Sequence, residues 1–116
     1  MSKHYTIAVL GAGPGGYVAA LKAAQMGASV VLVEKEYLGG TCLNYGCIPS
    51  KAILGSAELM HHIRHAAEMG IDVPAGAAVN WAKIQARKDK VLQTLRTGIK
   101  GLLGARKVTV LQGRAT

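Results

Sequence analysis

Phenylalanine is absent from this sequence, and its aromatic residues are one Trp and four Tyr in 116 positions. Acidic residues number six against fourteen Lys and Arg, for a net charge of +8. That excess does not point to nucleic acid. It falls after Ile63, in Arg64, Lys83, Arg87, Lys88, Lys90, Arg96, Lys100, Arg106, Lys107 and Arg114. No aromatic residues interleave with these charges to stack on bases. A solvated helix face, or an acidic remainder elsewhere in a longer chain, accounts for them. No apolar run reaches the roughly 20 residues that a membrane-spanning helix needs. No basic, then apolar, leader precedes the first strand pattern. A cytoplasmic location without a membrane partner is therefore expected. There are only two cysteines. In the cytoplasm such a pair is catalytic or metal-binding rather than a structural staple. Repeats and low-complexity tracts are also missing. With 50% hydrophobic and 17% charged residues the chain is globular and of single-domain size.

What is abundant is glycine, fifteen in all. Tyr5–Leu10 is a short, β-branched apolar run that reads as a buried strand. Gly11-Ala12-Gly13-Pro14-Gly15-Gly16 follows it directly. An Ala-rich helix is predicted from Tyr17 to Met26, ended by Gly27. Ser29–Val33 is a second buried strand, closed by Glu34. This is a βαβ unit of about thirty residues. Gly11, Gly13 and Gly16 form G-x-G-x-x-G in the context that gives the pattern meaning: strand before, helix after, acid at the end of the next strand. Gly11 permits the turn, Gly13 lets backbone approach a pyrophosphate, and Gly16 lets helix and strand pack closely. The helix N-terminus offers N–H donors to an anion. Glu34 suits a ribose hydroxyl, favouring an unphosphorylated ribose, as in FAD or NAD.

Cys42 and Cys47 lie five positions apart in Gly39-Gly40-Thr41-Cys42-Leu43-Asn44-Tyr45-Gly46-Cys47-Ile48-Pro49-Ser50-Lys51. In a regular α-helix such residues have Cα atoms roughly 8–9 Å apart, whereas a disulfide needs about 4.4–6.8 Å. If the two pair, the segment between them is not regular helix. Gly46 can absorb the break, Pro49 removes a backbone donor, and Asn44 is a candidate cap. At a helix start both thiols would be acidified. Zinc would need four ligands, and the spacing of His61, His62 and His65 to the cysteines fits no common zinc pattern. These three histidines, like His4, read as surface residues.

Downstream, a helix is predicted from Ala52 to Met69, capped by Gly70, followed by a connector over 71–78. Asn80 is a good N-cap for an amphipathic helix from Trp81 to Leu103. Its apolar stripe is Ile84, the Lys88 stem, Val91, Leu95, Ile99 and Leu102. Gly98, Gly101 and Gly104 weaken its end. Lys107–Leu111 is a third strand.

The Gly11–Tyr17 loop, Glu34 and the run from Gly39 to Lys51 together resemble the pyridine nucleotide–disulfide oxidoreductases. Cys47-Ile48-Pro49-Ser50-Lys51-Ala52 is similar to the dihydrolipoamide dehydrogenase branch, as is the tail through Arg87–Val91, Gly98–Leu103 and Gly113. Glutathione reductases usually carry Val in place of Ile48 and a second Lys in place of Ser50, whereas mercuric reductases can share Pro-Ser-Lys. Tyr45 stands where Val is common. The resemblance implies an α/β fold, a Rossmann-like FAD-binding βαβ unit with additional helices and an incomplete parallel sheet. It implies that residues 1–116 are the N-terminal portion of an FAD-binding domain, with the NAD and dimer-interface domains elsewhere in a longer, homodimeric enzyme. By the same resemblance Cys42 and Cys47 form a redox-active disulfide. Cys42 is the interchange thiol that meets the substrate, and Cys47 the thiol beside the flavin. Gly11, Gly13, Pro14, Gly15, Gly16, Glu34, Lys35, Gly40, Thr41, Lys51 and Ala115 contact FAD. NAD is the final acceptor, and a dihydrolipoamide-bearing protein or another dithiol is the substrate. Two other readings stand beside this one: a mercuric or glutathione reductase-like enzyme, and a non-catalytic FAD-binding fragment.

Overall fold

The computed structural model describes residues 2–116. Its elements are β1 (Ile7–Leu10), α1 (Pro14–Gln25), β2 (Val30–Glu34), α2 (Gly40–Tyr45), α3 (Cys47–His65), a 3₁₀ turn (Ala66–Met69), α4 (Trp81–Ala105) and β3 (Thr109–Gln112). The three strands form one open parallel sheet in the order β1-β2-β3. Ile7 pairs with Val30 and Leu10 with Val33; Val31 pairs with Thr109 and Glu34 with Gln112. This is a mixed α/β, Rossmann-like arrangement of the expected class. Among the described residues no helix is long and apolar enough to cross a membrane.

Strand alternation separates the two sheet faces. Val30 and Leu32 enter one core cluster with Ala12, Ala20, Leu43, Leu92, Ile99, Leu103 and Val108. Val9 packs against this cluster. The alternate residues Ala8, Leu10, Val31, Val33 and Leu111 take no part in it. β2 is buried at every position but Val33, because it has a neighbouring strand on each side. The expectation of a buried β1 is corrected: it is an edge strand, with Leu10 67% exposed.

The helices depart from the sequence pattern in instructive ways. α1 begins at Pro14, inside the glycine loop, because proline is pre-organised for a first helical position. α3 begins at Cys47 rather than Ala52, and its last turn tightens to 3₁₀ before Gly70 at φ 75°. Asn80 caps α4 as expected, accepting the Lys83 N–H at 3.0 Å. α4 runs on through Gly98, Gly101 and Gly104 to Ala105. Its buried stripe is Leu92, Ile99 and Leu103; Leu102 is 56% exposed. One turn of 3.6 residues past Ile99 falls between positions 102 and 103, and the way α4 docks buries Leu103. α3 and α4 pack as a long hairpin, and the molecule measures 68 × 25 × 19 Å.

The βαβ unit closes on Gly16. A Cβ there would stand 1.8 Å from the Gly11 carbonyl oxygen and 3.6 Å from Val9 Cγ1. Replacing Gly16 with Ala forces α1 away from β1. It is expected to cost about 2–4 kcal/mol, or the fold. A Cβ at Gly98 meets nothing within 4 Å, so Gly98→Ala is expected to stabilise by about 0.5–1 kcal/mol. Urea denaturation of both variants reads the contrast, and equal effects would refute it.

Candidate active site: a disulfide beside a glycine loop

Gly11 turns out of β1 at φ +93°, its N–H held by the Val33 oxygen at 2.8 Å. α1 then starts with no side-chain cap on Gly13 and no acid in its first turn. Its first amides therefore face outward with their positive dipole end free for an anion. Glu34 is buried and braces this loop. Its carboxylate accepts the Ala12 N–H at 2.7 Å and the Glu36 N–H at 2.8 Å. Sequence reasoning gave Glu34 a ribose but not these two amides. Carboxylate oxygens hold further lone pairs, so both roles are compatible. A cleft of about 260 Å³ beside it is lined by Gly11, Glu34, Lys35, Arg114 and Ala115 among others. Residues 80 positions apart are thus brought together.

Past β2 the chain folds back onto the loop. Gly39 donates to the Ala12 oxygen at 2.7 Å. Gly39 and Gly40 both have positive φ, 100° and 64°. A Cβ on Gly40 would lie 2.5 Å from Gly13 Cα. Gly13 and Gly40 therefore touch backbone to backbone, which presses the cysteine segment against the glycine loop. Gly15 has open space where a side chain would be. Thr41 is exposed at the start of α2.

α2 stops at Tyr45, and Gly46 (φ −125°, ψ −106°) breaks the helix before α3. Cys42 and Cys47 form a disulfide across the break, with Cα atoms 4.7 Å apart, about half the regular-helix distance. Ser50 closes the new helix start, its hydroxyl donating to the Gly46 oxygen at 2.7 Å. Cys47 opens a nineteen-residue helix with no acid in its first turn, and exposed Lys51 lies one turn beyond it. Cys42 borders a separate, mainly apolar cavity of about 220 Å³ with Pro14, Tyr17, Leu43, Ile48, Leu95 and Ile99.

Asn44 is not a cap. It is buried, and its amide nitrogen donates to the Leu38 and Gly40 oxygens at 3.1 and 2.8 Å. Its oxygen accepts Nε of Arg96 at 2.5 Å. Arg96 comes from α4 and stacks over the Tyr37 ring at 4.2 Å. The sequence pattern left Arg96 off the apolar stripe; it ties α4 to the cysteine segment. No local pattern signals this, because the partners lie 52 positions apart. Exposed Tyr45 donates to Glu36. That bond and the carboxylate's charge push the phenol above its usual range.

The profile of the pyridine nucleotide-disulphide oxidoreductase family matches residues 5–116. Across the whole chain it is 49% identical to a dihydrolipoyl dehydrogenase of Chlamydia trachomatis, covering 25% of that protein. It is 47% identical over 96% of its length to one of Bacillus subtilis, covering 24% of it. With one of Acholeplasma laidlawii it shares 48% identity over 97% of its length, covering 34%. The chain thus spans about a quarter to a third of these relatives.

Truncating Asn44 to Ala removes three hydrogen bonds and is expected to destabilise by about 2 kcal/mol, and Arg96→Met by less. Denaturation midpoints check the order. In a phenolate absorbance titration, with Tyr45→Phe subtracted, Tyr45 is expected to ionise above the ordinary tyrosine range. Glu36→Gln should return it towards that range; no change would remove Glu36 as the cause.

Proposed function

Because the chain belongs to the pyridine nucleotide-disulphide oxidoreductase family, we propose that it carries the FAD-binding and dithiol-oxidising part of a dihydrolipoyl dehydrogenase. The observation that carries this is the Cys42–Cys47 disulfide spanning a helix break pressed against the glycine loop. Relatives bearing that name support the donor as a dihydrolipoyl group on a partner protein. The family's description supports a pyridine nucleotide, NAD, as final acceptor. A homodimeric, cytoplasmic enzyme completes the proposal. A disulfide that cycles rather than staples accords with that compartment.

The chain's residues fit FAD. The uncapped amides of α1, with Gly13 at their head, would take the pyrophosphate, helped by Pro14, Gly15 and Gly16. Glu34, Lys35 and Ala115 line the cleft suited to the adenosine end. Gly40, Thr41 and Lys51 would serve the ring end. When bound, the flavin supplies a two-electron acceptor.

The disulfide works as follows. A substrate thiolate attacks Sγ of Cys42, forming a mixed disulfide and expelling Cys47 as thiolate. The substrate's second thiolate attacks its own sulfur in that mixed disulfide and releases Cys42 as thiolate. Substrate loses two electrons as its ring disulfide forms, and the cysteine pair gains two. The helix start supports this direction: Cys47 heads a long helix whose positive end would stabilise the thiolate, and the more acidic thiol leaves faster. Lys51, one turn on, adds positive charge on the same side.

The assignment is tested on the oxidised protein with a monothiol probe, glutathione, followed by rapid alkylation and peptide mass mapping. The adduct is expected on Cys42, with Cys47 alkylated. A dominant Cys47 adduct would reverse the two roles. A disulfide that also resists dihydrolipoamide would sink the redox reading. Separately, protein mixed with FAD and desalted is expected to keep a flavin absorbance that Gly13→Val removes.

A further inference from the structure

His61 and His65 sit four residues apart on α3, a spacing that sets side chains side by side, with Cβ atoms about 5–6 Å apart. Their rings are neighbours, with centroids 4.2 Å apart and planes inclined by 33°. His65 Nδ1 lies 2.8 Å from the His61 backbone oxygen. A carbonyl oxygen only accepts, so Nδ1 carries the proton and donates. In the neutral ring Nε2 then keeps the lone pair. A hydrogen bond from the far ring nitrogen to a carbonyl is also how metal-ligating histidines are fixed in tautomer and made more basic. Both residues are exposed. The nearest acid on the helix, Glu58, reaches His62 instead, at 3.9 Å, and His62 stands edge-on to His61 at 6.0 Å.

We propose that His61 and His65 form a two-imidazole chelate for a divalent transition-metal ion of the zinc, nickel or copper class. Imidazole suits these ions, and two histidines at i and i+4 on one helix face is the spacing that helical zinc sites use. Exposed rings reorient in nanoseconds or less, so modest rotations bring one nitrogen from each to about 2.0–2.1 Å from a common ion. Among the described residues no group of three or more His, Cys, Asp or Glu is gathered for a metal. The site is therefore bidentate, with water in its remaining positions, and exchangeable rather than structural. It is separate from the cysteines: the fourteen positions from Cys47 to His61 correspond to about 21 Å along the helix.

The test is calorimetric titration of untagged, oxidised protein with zinc or nickel chloride, so that no thiolate competes. One ion per chain is expected to bind in the micromolar range. His61→Ala and His65→Ala should each weaken it by at least about tenfold, the scale that even outer-shell losses reach. His62→Ala and His4→Ala should stay near wild type. Circular dichroism confirms that α3 is intact in each variant, and copper electron paramagnetic resonance should show two imidazole nitrogens. Absence of saturable binding below millimolar metal would overturn the proposal. So would equal binding by the His61 and His65 variants, or a loss confined to His62→Ala.

Discussion

Two places where backbone meets backbone set the spacing of everything else. At Gly16 the first helix approaches the Gly11 carbonyl so closely that a methyl group would overlap it. At Gly40 the redox segment leans on Gly13 in the same way. Both contacts remove side chains from between elements, and so shorten the distance from loop to helix and from loop to cysteines. Glu34 works on the same loop from the opposite side, converting its charge into two short backbone hydrogen bonds. The result is a fixed glycine loop with a disulfide seated beside it.

The disulfide imposes the second constraint. Five residues of continuous helix hold two cysteines too far apart to bond, so the helix must break between them, and a broken helix is free to move. The structure answers that freedom with a polar clamp. Asn44, halfway between the cysteines, satisfies two backbone oxygens on its own side and takes a third bond from Arg96 on α4. Leu43, its neighbour, enters the core. The broken segment is thereby pinned by one apolar and one polar anchor. None of the clamp's members is a cysteine.

Much of this was legible because glycine and cysteine carry their reasons locally. The G-x-G-x-x-G loop announces a turn, an approach and a packing contact. The five-residue cysteine spacing announces a helix break if the two cysteines pair. What escaped depended on partners distant in the chain. Asn44 looked like a cap because polar residues near helix starts usually are; its real partners include an arginine 52 positions on. Leu102 and Leu103 are equivalent in hydrophobicity, and only the docking of α4 on the sheet chooses Leu103. The strand at Tyr5–Leu10 was apolar enough to be buried, yet burial also needs a neighbour on both edges, which β2 alone possesses. Hydrophobic pattern records what a residue tolerates, and sheet order decides what it receives.

The charge pattern of α3 joins these threads. Its first turn holds no acid, although an Asp or Glu there is the usual way to complement a helix N-terminus. Its last turn holds Arg64, whose charge does complement the C-terminal end. Stability alone would favour both complements, so the missing acid leaves the positive end uncompensated at the residue where Cys47 stands. In the disulfide Cys47 has no charge to offer; as a thiolate it does. The helix therefore gains its N-terminal anion only when the disulfide opens. The field that would be wasted on a structural helix lowers the cost of reducing this one. An acid placed in the first turn would tighten the oxidised helix and oppose the thiolate, working against the chemistry through the same dipole.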